Sequence, residues 1–297
     1  MVHRGELTDQ QWEQIEPLLP QGGGQGGQWR DHRQVINGIL WQARTGAPWR
    51  DVPDRYGPWK TLHERLRRWS ADGTWERIFE HVKANVQADE GGLDGAVYEV
   101  AVDSTVTRAH QHAAGARIRG HRSHRGLGCD GGRRDGEALG RSRGGLSSKL
   151  HLAVDAWCRV LAVILSSGQA GDNPRLIPLI DQVRPPVGYP RPEGWWFRVI
   201  ADKAYSARGT RRYLRRRRIA ATIPEKQDQL AHRRSRGSRG GRPYAFDLEI
   251  YKRRNVVERA IARLKRYRAL ACRYAKRAVI YRCQILLVAA LDWLSCP

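Results

Sequence analysis

The spacing of apolar residues changes once along the chain, and the change divides it in two. Between Leu7 and Val86 they recur three and four apart, the period of helices that bury one face. Thr8 and Gln11 stand in capping-box positions ahead of Trp12 and Ile15. Asp31 caps a second run carrying Val35, Ile39, Leu40 and Ala43, which Gly46 and Pro48 close. Thr61 and Glu64 repeat the capping-box pattern before Leu66 and Trp69, and Thr74 opens a fourth run through Trp75, Ile78, Phe79, Val82 and Val86. Gly22–Gly27 and Gln87–Gly95 read as a flexible break and a linker.

From Tyr98 the period shortens to that of strands. Tyr98–Thr105 is an apolar, β-branched run ending on Asp103. Leu150–Val154 and Val160–Ser166 predict a hairpin turning at Asp155–Arg159, Phe197–Ala201 a buried strand ending on Asp202, and Ala220–Ile223 a short strand. Helices are expected over Asn173–Val183, Ser206–Arg218, Tyr251–Lys265 and Lys276–Leu294, with Pro-rich surface chain over Arg184–Gly194. Residues 108–145 and 226–242, dense in Arg and Gly, predict basic flexible loops. The expected organisation is a small all-α, helix-turn-helix-like DNA-binding domain over residues 1–90 and an α/β domain over 96–297. Strand, hairpin, helix, strand, helix, strand, helix is the order of a ribonuclease H-like fold.

Composition adds a partner. The formal net charge is +23 and the pI is near 10.7, which points to a polyanion, nucleic acid before membrane surface. The most apolar stretch, Val279–Leu294, is too short to span a bilayer and carries Arg282, Gln284 and Asp292. Five scattered cysteines without a C-x-x-C pair, and no signal-peptide core near the N-terminus, predict a cytoplasmic protein.

Candidate chemistry rests on three acids. Asp103 and Asp202 each close an apolar strand, where ligands gather in open α/β sheets. On a wheel of about 100° per residue, Ile250, Val257, Ile261 and Leu264 share one arc, and Tyr251, Arg254, Glu258 and Lys265 share the arc beside it. Glu258 therefore borders the buried face, flanked by two cations and a phenol. Three carboxylates in so basic a protein suit Mg²⁺ shared with phosphate oxygens. Asp155 and Asp172 are rivals that a turn and a helix start would also explain. His110, His112, His121 and His124 are spaced too irregularly for a metal site.

These residues carry a resemblance. Tyr251-x2-Arg254-x3-Glu258-x6-Lys265 matches the Y-x2-R-x3-E-x6-K signature of bacterial insertion-sequence DDE transposases. LTDQQWEQIEPLLP and the segment from Asp31 to Ile78 are similar to the leading domain of the IS-five family. AVDSTVTRAHQHAAGAR and ADKAYSARGTRRYL resemble its two catalytic-Asp segments, although Ala204 stands where many relatives carry Gly. The resemblance covers nearly the whole chain. It implies a transposase that binds terminal inverted repeats in double-stranded DNA, cuts the ends and joins the freed 3′-OH to a target. Asp103, Asp202 and Glu258 would hold Mg²⁺, or Mn²⁺ in its place, with Tyr251, Arg254 and Lys265 at the scissile phosphate. Lys60, Arg65, Arg67 and Arg68 would read the ends, and Arg211, Arg212 and Arg215 would hold backbone. A homodimer on DNA, associated with the bacterial nucleoid, is expected. The alternatives are a DNA-binding relic without catalysis and a ribonuclease H-like nuclease without strand transfer.

Overall fold

The computed structural model describes residues 4–20, 29–89, 97–115, 137–183 and 197–295, and among them four α-helices precede the first strand. Helix α1 (Asp9–Ile15) starts on the expected capping box, the Thr8 hydroxyl accepting from the Gln11 amide and the Gln11 side chain from that of Thr8. Helix α2 (His32–Thr45) is capped by Asp31, whose carboxylate accepts from the Arg33 amide, and ends on Gly46 at φ +66°, a left-handed cap that glycine adopts without strain. Helix α3 (Trp59–Ala71) begins earlier than the Thr61–Glu64 pattern predicts, directly after Pro58, so Thr61 lies inside its first turn. Helix α4 (Thr74–Asp89) is introduced by Asp72, which takes hydrogen bonds from both the amide and the hydroxyl of Thr74. The glycine-rich break, most of the 87–95 linker and the Pro-rich chain lie outside the described residues.

Strand β1 (Tyr98–Ala109) is the spine of a seven-stranded sheet. It pairs antiparallel with β3 (Gly145–Val154) and parallel with β5 (Phe197–Ala201), which pairs in turn with β6 (Ile219–Thr222). Strand β3 also carries β2 (Gly140–Ser142) and β4 (Val160–Ser167), and the two-residue β7 (Cys272–Arg273) joins the far end of β1. Helix α6 (Asn173–Gln182) packs on β3 and β4, α7 (Arg208–Arg216) precedes β6, and α10 (Asn255–Lys265) lies along β1 and β3. A mixed sheet with antiparallel β4–β3–β1 and parallel β1–β5–β6, flanked by helices, is the ribonuclease H-like layout.

Several elements depart from the sequence expectation. Strand β1 runs past Asp103 to Ala109, because β3 continues to pair with it as far as Arg108, so Asp103 sits mid-strand. Of the basic segment 108–145, the ends are ordered as β1, the short α5 (Gln111–Ala114) and β2, and residues 116–136 lie outside the described chain. The basic segment 226–242 holds a helix, α8 (Gln227–Ser235), anchored by Gln229 on the Ser206 carbonyl (3.2 Å) and by an Arg233–Glu225 ion pair. The helix expected over Ser206–Arg218 forms as the shorter α7, and a 3₁₀ turn (Lys203–Tyr205) precedes it directly after Asp202. The stretch Tyr251–Lys265 is two helices, α9 (Leu248–Lys252) and α10, divided at Arg253–Arg254.

One apolar core runs through both halves. Helix α12 (Ala278–Leu294), which follows the one-turn α11 (Arg268–Ala271), is apolar nearly all round and correspondingly buried on every side. It lies between β4 and the helices α3 and α4. Its few polar groups are matched: Arg282 bonds Glu76 of α4 at 2.7 Å, Gln284 bonds Gln42 of α2 at 3.2 Å, and the Trp293 indole donates to the Val160 carbonyl at 2.8 Å. No helix among the described residues is long and apolar enough to cross a membrane.

Candidate active site

Register brings the first two acids together. The parallel ladder of β1 and β5 sets Val102 beside Ala201, so the next residues along, Asp103 within β1 and Asp202 just past the end of β5, come side by side. Burial pushes the Asp103 carboxyl above the usual range, and the nearby negative charge of Asp202 adds to that rise, against the opposing pull of the Ser104 amide and Arg254. Its two oxygens are held separately: Oδ1 accepts from the Ser104 amide at 2.8 Å and Oδ2 from an Arg254 terminal nitrogen at 2.7 Å.

The third acid is tied in through that arginine. Arg254 stands at the start of α10, and its other terminal nitrogen donates to Glu258 one turn on. One guanidinium thus bridges Asp103 and Glu258. Burial opposes its charge, but Asp103 above all, then Tyr251 and Glu258, raise its pKa. The Tyr251 ring lies 5.8 Å from that guanidinium, and burial raises its hydroxyl pKa. Further along the same face, Lys265 donates to the Thr105 hydroxyl at 2.7 Å. Of the four residues that share an arc on the helical wheel, Arg254 and Lys265 reach β1, and Tyr251 and Glu258 gather around Arg254, across a break between two helices.

Glu258 remains 53% exposed, and among the described residues no group of three or more His, Cys, Asp or Glu side chains is gathered as a metal site. The donor chemistry nevertheless fits a hard divalent cation. Asp103 and Asp202 offer adjacent carboxylates, one of them penalised for its charge by burial and by its neighbour, and Glu258 follows one helical turn from the cation that bridges it to Asp103.

The other acids divide. Asp155 is fully buried, paired with Arg159 at 2.7 Å and accepting two backbone amides, so it builds the hairpin turn. Asp172 does start α6, as its N-cap residue with its carbonyl accepting from the Arg175 amide, but its side chain makes no cap hydrogen bond and reaches β1 instead, where the Ser104 hydroxyl donates to it at 2.7 Å. Lys149 and His151, two residues apart on β3 and so on one face, lie 3.0 and 3.9 Å from the same oxygen. Tyr205, buried beneath, has its phenol pKa pushed far up by burial and by the charges of Asp172, Asp103 and Asp202. Ser104, Lys149, His151 and Tyr205 are residues that the sequence reading passed over. The signal was present in Lys149 and His151, charged or titratable at alternate positions on either side of Leu150 where the strand turns apolar.

Two of the expected DNA contacts are occupied indoors. Arg65 is only 8% exposed, its guanidinium stacked 4.1 Å from Trp29 and 5.1 Å from Trp69 and bonded to His32 at 2.9 Å. Arg211 is 6% exposed, bonding the Ile223 carbonyl at 2.7 Å and lying over Tyr244. Lys60, Arg67 and Arg68 on α3, and Arg212 and Arg215 on α7, are exposed. Lys60, Glu64 and Arg68 line a groove of about 340 Å³ against Trp29, while Arg67 is paired with Glu64. Of the four histidines, His110 packs against His112 and Tyr274, and His121 and His124 lie outside the described residues.

Fold and site together define a ribonuclease H-like domain with a carboxylate site facing its central strands. Residues 98–293 match the family of the transposase DDE domain, and residues 7–79 match a putative transposase of IS4/5 family. The chain belongs to the DDE transposases and is an enzyme of that class, one whose domain works with divalent metal ions on DNA. It is similar to a putative transposase for insertion sequence element IS402 of Burkholderia cepacia, 36% identical over 140 residues, which is 45% of this chain and 56% of the relative. A putative transposase for insertion sequence element IS6501 of Brucella ovis is 30% identical over 149 residues, 50% of this chain and 99% of its own length. An uncharacterized protein, y4sN, of Sinorhizobium fredii is 38% identical over 112 residues, covering 37% of this chain and 82% of the relative. No solved structure matches the chain.

Proposed function

We propose that this transposase, of the YREK signature group, binds the terminal inverted repeats of an insertion sequence, cleaves the ends and transfers the 3′-OH to target DNA. The observation that carries this reading is the bridge from Asp103, beside Asp202, through Arg254 to Glu258. Asp103, Asp202 and Glu258 would hold Mg²⁺, and such ions neutralise the attacking and leaving oxygens of an in-line displacement at phosphorus. Water, and later the freed 3′-OH, attacks the phosphodiester in line. Arg254 turns from carboxylates to a phosphate oxygen, which its planar fork suits equally, and Lys265 supplies a second positive charge along β1. Tyr251 flanks the same phosphate. Lys60, Arg67 and Arg68 contact the repeat, and Arg212 and Arg215 hold backbone. Two ends must meet, so the working form on DNA is a homodimer, acting in the bacterial cytoplasm at the nucleoid.

The test is cleavage of a labelled duplex carrying the element's own terminus, with Mg²⁺ or EDTA, by wild type and Glu258→Gln. Metal-dependent release of a 3′-OH, lost in Glu258→Gln while terminal DNA is still bound, is the expected result. Binding without cleavage under any divalent metal would make the protein a DNA-binding relic, and nicking without joining would make it a nuclease. Mass photometry of the cleaving complex reports the homodimer, which a single copy cutting both ends would refute. A fluorescent fusion that stays off the nucleoid would refute the location.

A further inference from the structure

Asp103 does not stand on its strand alone. Its Oδ1 is fixed by the amide of Ser104, and the side chain of Ser104, on the opposite face of β1, is fixed in turn by Asp172. Asp172 is the N-cap residue of α6, where an aspartate side chain would ordinarily cap the helix, yet its carboxylate forms no cap bond. Its Oδ1 is committed across the gap to β1 and to Lys149, whose ammonium is itself pinned by the Ala170 carbonyl at 2.7 Å. His151 stands opposite Ser104 in the β1–β3 ladder. It is fully buried, bonds Ser166 through Nε2 at 2.8 Å, and turns an Nδ1 without a hydrogen-bond partner toward Asp172. A carboxylate that forgoes its own helix for a serine next to a reactive acid is placed to orient that acid.

We propose that Asp172 is a positioning residue of the active site, acting through Ser104 to hold the Asp103 carboxylate in the orientation that receives a divalent cation. It does not touch the reacting atoms. The proposal rests on the transposase reading for the reaction it serves, but the orientation of Asp103 has a readout of its own. Partners that orient a metal ligand, when removed, cost about 10- to 100-fold in metal affinity or activity, a size that separates them from general polar surface.

The experiment compares wild type with Asp172→Asn, Ser104→Ala and Ser104→Thr. Mn²⁺ binding to the DNA-free protein is followed by electron paramagnetic resonance, beside cleavage rate at saturating terminal duplex, DNA affinity and thermal midpoint. Asp172→Asn and Ser104→Ala should weaken Mn²⁺ binding and slow cleavage by about tenfold or more, with DNA affinity within about twofold of wild type. Ser104→Thr, which keeps the hydroxyl, should recover most of both. Wild-type Mn²⁺ affinity in Asp172→Asn and Ser104→Ala overturns the proposal, as does a loss that tracks a fallen thermal midpoint and is not recovered by Ser104→Thr. If Asp172→Asn does not fold, the two Ser104 variants decide. If wild type binds Mn²⁺ but never cuts, the transposase reading fails while the Mn²⁺ comparison still judges Asp172. If wild type neither binds Mn²⁺ nor cuts, both fall.

Discussion

Arg254 is where the acids of the site are tied together. Its two terminal nitrogens serve two acids from different elements, Asp103 on β1 and Glu258 on α10, which a single lysine ammonium could not span in the same fork. His151 is the second residue with a measurable consequence. Burial first, and then Lys149 and Arg175 against the opposing pull of Asp172, lowers its pKa from 6.5 to about 4. Because the folded value lies below the unfolded one, its contribution to stability is complete above pH 6.5 and is lost as the pH falls toward 4. Over that window wild type should lose about 3 kcal/mol more unfolding free energy than His151→Gln, measured by urea titration at each pH; parallel curves would show that His151 titrates normally. The nearness of Asp103, Asp202 and Arg254 was legible in the sequence because each acid ends an apolar run and Arg254 sits at a fixed helical offset, although β1 continues past Asp103. The Asp172–Ser104 bond was not, since it joins residues 68 apart. Arg65 and Arg211 were misread for a related reason: whether a guanidinium faces solvent or stacks on Trp29 or Tyr244 is decided by tertiary neighbours.

At the scale of elements, strands were read better than the basic helices. Short, nearly continuous apolar runs mark β4 and β5 almost to the residue, because both faces of these strands are covered. The break between α9 and α10 has no Gly or Pro to announce it. It is made by tertiary ties: Arg253 pairs with Glu99 at 3.1 Å, Arg254 turns to Asp103, and the backbone closes 3₁₀-type bonds such as Arg254 N–H to the Tyr251 carbonyl. Helix α8 was hidden by the opposite error, in which charge density was taken for disorder although Gln, Leu, Ala and Arg all favour helix. One helix contact is sharp enough to predict from. A Cβ on Gly38 of α2 would overlap the Leu62 methyl of α3 and stand 2.9 Å from the Tyr56 Cβ. Gly38→Ala, despite its better helix propensity, should therefore destabilise by about 1–3 kcal/mol in chemical denaturation, and a gain in stability would show that α2 and α3 can part at no cost.

Over the whole molecule, 53 Lys and Arg side chains, whose excess over the acids makes the net charge +23, must be sorted into those that meet DNA and those that hold the fold. Arg68→Ala should lower the slope of log affinity against log salt by about one and leave the melting temperature unchanged. Arg65→Ala should do the reverse, melting early by the loss of a buried stack of about 1–3 kcal/mol while the salt slope stays put. Equal effects on both readouts would erase the distinction drawn from their burial. That same continuous interior, with α12 wedged between the sheet and the leading helices, also makes the molecule a ruler. If the leading helices grip a repeat and the carboxylates cut, as proposed, the two cannot slide past one another when they grow from one core, and the span from recognised bases to broken bond is then a constant of the protein. Inserting about five base pairs, half a turn, between repeat and terminus should leave the nick at its original count from the repeat or abolish it. A nick that travelled outward with the displaced terminus would mean that the ruler bends.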